Sequence, residues 1–156
     1  MNKTVFLAAL LAIAAFGVSC SGDRDTELPE IIMTGAGHFP NNCDTVYVGE
    51  SFTFRARFTD NHELGSYSID IHHNFDHHSH STDMADCPMD PVKTPENPFL
   101  FIGQFDIPAG VSEYDATQVI DVPEDVDTGD YDLMVRVTDR TGWQAIRGIS
   151  IKVARR

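Results

Sequence analysis

Residues 68–90 of the chain read "SIDIHHNFDHHSHSTDMADCPMD", and five of the 7 histidines fall within nine residues of that stretch. They are His72, His73, His77, His78 and His80; Asp76 sits among them, and Met84, Cys87 and Met89 follow. Neutral imidazole is the commonest transition-metal ligand, and three or four within reach hold Zn(II), Cu(II) or Ni(II) at about 2.0–2.1 Å. In an extended chain His78 and His80 point to the same side. His72 faces them if the chain folds back after Asn74 and Phe75. His73, by strand alternation, points with Ile69 and Ile71 toward the core. Asp76 is placed to be a ligand, or the carboxylate that fixes an imidazole tautomer. Met84 and Met89 would add affinity for Cu(I), which prefers soft sulfur. The competing reading is a solvated, histidine-rich loop that binds nickel only as any histidine cluster does, or that serves as a pH-sensing or partner-binding surface. The spacing matches neither a zinc finger nor an H-E-x-x-H helix.

A site needs a frame, and short alternating runs supply it. In "SFTFRARFTD" Phe52, Phe54, Ala56 and Phe58 share one face and Thr53, Arg55 and Arg57 the other. That period of two predicts a half-buried strand. "GSYSIDIHHNF" repeats it, and "EIIMTGA", "FLFIGQFDIP", "TQVIDVP", "YDLMVRVTD" and "WQAIRGISIKV" add five more. No segment has a helical period with caps. About seven strands divided by Gly, Pro, Asn and Asp predict an all-β, immunoglobulin-like antiparallel sandwich. The tract leaves the third of these strands and enters a long connection, residues 77–98, whose Pro88, Pro91, Pro95 and Pro98 bar a regular central strand. Asp60 and Asp139 are read as turn formers, and Tyr131 and Trp143 as core and rim packing. Calcium binding would need several Asp oxygens converging, and no compact acidic motif provides them.

The first residues bear on location. "VFLAALLAIAAFGV" is an apolar run of 14 residues, too short to span a bilayer and of the length of an export signal's core. "GVSC", ending at Cys20, resembles a bacterial lipobox, with Gly17 where Leu is usual. The resemblance implies a signal peptide over residues 1–19 and lipidation of Cys20, so that the protein partners the membrane through its lipid. Residues 20–29 read as a flexible acidic tether, and "SGDRD" resembles the surface-export signal of Bacteroidota lipoproteins. Residues 30–156 then form one domain. With Cys20 lipidated, Cys43 and Cys87 remain as a pair in an oxidising compartment, and a disulfide is the default. The alternative is Cys87 as a soft metal ligand. Asp and Glu total 24 against 11 Lys and Arg, a net charge of -13, which repels nucleic-acid phosphate.

"GDYDLMVRVTDRTGW" resembles the closing hairpin of bacterial Ig-like modules, and "FTDNHELGSYSIDI" their turn between the second and third strands. With "HNFDHHSH" and the lipoprotein start, residues 28–154 resemble a Bacteroidota family of small Ig-like lipoproteins classed as a domain of unknown function. The resemblance implies the fold and an envelope location, and no activity. It favours His72, His77, His78 and His80 as the metal set, with Asp76 beside them, and leaves His62 out. No G-x-S-x-G elbow, P-loop or dinucleotide fingerprint occurs, so a non-catalytic role is expected. The leading expectation is a lipid-anchored outer-membrane protein that sequesters a transition metal or passes it to an outer-membrane receptor. Its affinity should fall as pH drops through the imidazole range near about 6.5. The runner-up is a surface-displayed module for protein or glycan partners, its histidines incidental.

Overall fold

A computed structural model describes residues 25–78, 82 and 87–156. Eight strands form in chain order: β1 (Glu30–Ile32), β2 (Thr45–Tyr47), β3 (Ser51–Thr59), β4 (Leu64–His73), β5 (Phe101–Asp106), β6 (Glu113–Asp121), β7 (Gly129–Asp139) and β8 (Gln144–Ala154). They make two sheets, one of three strands in the order β1-β3-β6 and one of five in the order β2-β8-β7-β4-β5. The fold is all-β and sandwich-like, and among the described residues no helix is long and apolar enough to cross a membrane.

The alternation in the sequence sets which faces meet. Phe52, Phe54, Ala56 and Phe58 are buried along β3. They face Tyr67, Ile69 and Ile71 of β4, Leu133, Val135 and Val137 of β7 and Ile149, Ile151 and Val153 of β8 within one apolar core. The expected wholly antiparallel orientation needs correction. Among the described residues β2 runs parallel to β8, with Val46 opposite Val153, while every other strand pair is antiparallel. Three residues leave no readable period, and a pairing with the last strand has no local signal.

The stretch read as the end of a tether is docked from Asp25 onward. The Trp143 indole N–H donates to the Asp25 carbonyl at 3.2 Å, and Asp25 is 6% exposed.

Tyr131 does more than fill space. Its hydroxyl donates to the Asp127 carbonyl at 2.7 Å and accepts the Phe99 N–H at 3.0 Å. Burial pushes its pKa up to about 12, so it stays a donor. Tyr131→Phe leaves the buried Phe99 amide without its partner. It should cost about 1–3 kcal/mol of stability in equilibrium denaturant unfolding.

Candidate metal centre

β4 and β7 pair antiparallel with His72 directly opposite Asp132 and His73 opposite Tyr131. Alternation sends Ile69 and Ile71 inward and Asp70 and His72 to the outer face. On β7, Asp132 belongs to the same outward row as Met134 and Arg136, yet it is 0% exposed. An outward-row carboxylate is buried because the chain after β4 folds back over it. Asn74 N donates to the Asp130 carbonyl at 2.8 Å, and the Asn74 side-chain amide donates to Asp132 Oδ1 at 3.2 Å.

The fold-back lays the His78 ring over the His72 ring, centroids 5.6 Å apart and planes within 8°. His72, His78 and Asp132 each present a ligand-type atom within 4.8 Å of the other two. The two imidazoles are held alike. His72 Nδ1–H donates to Asp70 Oδ1 and His78 Nδ1–H donates to Asp76 Oδ1, each carboxylate lying two residues before its ring. A proton fixed on Nδ1 puts the lone pair on Nε2, the arrangement by which carboxylate-backed histidines ligate metals. The hydrogen bond from His78 is the largest influence holding Asp76 below the usual carboxylate range. Asp76 therefore remains an acceptor at any pH where imidazole is neutral.

Backing carboxylates of this kind contribute about 10–100-fold to metal affinity. Asp70→Asn and Asp76→Asn should each weaken zinc binding by about that factor in a chelator-competition titration, with the apo protein still folded.

The expected residues divide as follows. His72 and His78 come together. Asp76 does not join the cluster of three but supports His78 from behind. His77 is taken elsewhere: it has a φ of 61°, and its Nε2–H donates to the Asp90 carbonyl at 2.9 Å, tying the tract to the later part of the loop. His80, Met84 and Cys20 lie outside the described residues, as does the proposed signal peptide. His73 lies inward as alternation required, its ring 5.0 Å from that of Phe75. Met89 is 42% exposed. Cys87 is bonded to Cys43, Cα to Cα 5.4 Å, which removes it from the ligand set as a soft metal ligand. The Cys43 N–H donates to the Ser150 carbonyl at 2.8 Å, and Asp90 N donates to Asp130 Oδ2 at 2.7 Å, so the disulfide staples the returning loop to the β7–β8 end.

Two members escaped the sequence reading. Asp132 could be found only from the strand register, which joins residues 60 apart. Asp70 had a local signal: "DIH" and "DHH" repeat one spacing, a carboxylate two residues before a histidine.

The family model described as "Domain of unknown function (DUF4625)" matches residues 18–154. No curated protein matches the chain. Among solved structures, the chain is similar to the "GspB Siglec domain" at 20% identity and a TM-score of 0.45, covering 85% of this chain and 60% of that one. It is also similar to Spo0M, a sporulation control protein from Bacillus subtilis, at 12% identity and a TM-score of 0.41, covering 83% of this chain and 49% of that one. The chain thus spans less than two thirds of the first structure and about half of the second.

Proposed function

The chain belongs to the DUF4625 family, and from that premise, which carries no activity, we propose that it is a non-catalytic cell-envelope protein that binds a borderline divalent metal. The ligands are His72, His78 and Asp132. Two imidazoles and one carboxylate suit Zn(II), Cu(II) or Ni(II). The observation that carries the proposal is the pair of carboxylate-backed imidazoles stacked beside a fully buried Asp132. Three protein ligands leave coordination positions for a further side chain, water or a partner's donor, which suits sequestration or hand-over to an outer-membrane receptor. Lipidation at Cys20 and outer-membrane display are part of the same proposal. So is an immunoglobulin-like assignment of the sandwich, supported by the Tyr131 hydroxyl returning to the Asp127 carbonyl four residues upstream, the bond of a tyrosine corner.

The test is competition titration of the untagged protein with zinc, copper and nickel against calcium and magnesium. Near-stoichiometric, selective binding of one transition-metal ion supports the reading. Equal, weak binding of all of them removes it.

One observation favours the interaction-module reading as a second role. A groove on the outer face of the five-stranded sheet ends at Asp70 and His72 and is rimmed by Ile102, 70% exposed, and Ile146, 48% exposed. Apolar side chains left beside a polar site are what a docking partner would cover.

A further inference from the structure

Besides Asp130 and Asp132, β7 carries a buried carboxylate at its far end. Asp139 is seven residues beyond Asp132, at about 3.3 Å per residue roughly 23 Å away at the other end of the sheet. There Asp25, Asp60 and Asp139, far apart in sequence, each present one ligand-type oxygen within 4.8 Å of the others. Asp25 and Asp139 are 6% and 4% exposed. Gly65 helps to bring the groups together, because any Cβ there would lie 2.9 Å from the Asp139 carbonyl oxygen. Only glycine lets β4 begin so close to the end of β7.

The turn-forming role read for Asp60 and Asp139 accounts for half of each carboxylate. Asp139 Oδ1 accepts the N–H groups of Thr141, Gly142 and Trp143 at 2.8, 2.6 and 2.8 Å. Asp60 Oδ2 accepts the His62 N–H at 2.9 Å. The other two oxygens, Asp139 Oδ2 and Asp60 Oδ1, are buried with no hydrogen-bond donor among the described residues. Asp25 Oδ1 accepts the Glu27 N–H at 3.1 Å, its Oδ2 has a long contact, 3.4 Å, with the Thr141 hydroxyl, and the Asn61 side chain also hydrogen-bonds this carboxylate. Arg140, next along the chain, is turned to Glu63 at 3.1 Å. The Glu27 N–H is the largest influence holding the Asp25 carboxyl below its usual range, and His62 nearby is exposed.

Buried carboxylate oxygens are hydrogen-bonded, ion-paired or metal-bound, and here two of them lack hydrogen-bond donors within a cluster of three carboxylates. Oxygens around an ion at 2.3–2.6 Å lie no more than about 5 Å apart, as these do. The donors are all hard oxygen, which selects calcium over the metals suited to imidazole. We propose that Asp25, Asp60 and Asp139 form a calcium site. The ion fastens the N-terminal segment at Asp25 to the turns after β3 and β7. The convergence that no single acidic motif offers is made by the fold from three separate segments.

Trp143, the single Trp of the chain, donates its indole N–H to the Asp25 carbonyl and lies beside the site. Terbium, a calcium surrogate, should therefore luminesce on indole excitation. The untagged protein, stripped of metal, is titrated with terbium and then with calcium, and its Tm is followed in calcium alone. The expected results are saturable luminescence that calcium displaces, and a Tm that rises with calcium concentration. Asp60→Asn should weaken both responses by at least about tenfold, the order of one lost charged ligand. His72→Ala/His78→Ala should leave both intact, so this site and the imidazole site stand or fall separately. No calcium-dependent Tm change up to about 10 mM, ten times the weakest dissociation constant of extracellular calcium modules, overturns the proposal. So does terbium luminescence that calcium cannot displace, a reading that needs no variant to fold.

Discussion

Replacing His72 and His78 together by alanine should lower zinc affinity by more than about 100-fold, since disturbing even the groups behind a ligand costs about 10–100-fold. The two rings supply both nitrogen ligands of the cluster, and Asp132 alone is a weak site for a borderline metal. The apo protein should remain folded, because both rings lie on the outer face, with side chains 25% and 33% exposed, and neither fills the core. His77→Ala is the informative control. Its ring is bonded to the Asp90 carbonyl, so its loss should loosen the loop while leaving the ligand set complete. If His77→Ala abolished binding and the double variant did not, the metal would sit on the tract in some other arrangement. Isothermal titration with a competing chelator separates the cases.

The second large effect is on stability. Cys43→Ser/Cys87→Ser opens a loop whose ends are 44 residues apart, which by chain entropy is worth about 4 kcal/mol. A domain of this size has about 5–15 kcal/mol in all, so the variant should unfold at much lower urea. Its zinc affinity should also fall, because Cys87 is the anchor that returns the loop after His78 to the β7–β8 end. Urea unfolding of the oxidised protein against the double serine variant measures the first effect, and zinc titration of the same pair the second. Equal unfolding midpoints would mean that the loop is held by hydrogen bonds such as that of Asp90 to Asp130 alone.

How far the sequence reveals this molecule follows from how local each signal is. Phe52, Phe54, Ala56 and Phe58 announce β3 because burial on one face is written at a spacing of two. The same rule puts His73 inward and His72 outward, and the fold-back after Asn74 and Phe75 brings His78 to His72. β2 is illegible, since Thr45–Tyr47 is too short for a pattern and its partner is the last strand. Asp132 is illegible for a related reason: on sequence it is an outward, solvent-facing position, and only the returning loop buries it. His77 misleads because a positive φ turns its ring toward Asp90, away from its neighbours. Asp60 and Asp139 are legible as turn formers from their own contexts, but the oxygens left over converge with Asp25 only in three dimensions.

The most direct measurement is an anomalous-difference map, recorded at the zinc edge, from crystals of the untagged protein carrying one equivalent of zinc. One peak bonded by the imidazoles of His72 and His78 and by Asp132, with nitrogen distances near about 2.0–2.1 Å, is the expected result. A peak held by other residues, or scattered weak peaks with His72 and His78 unligated, would contradict a built site at this end of the sheet.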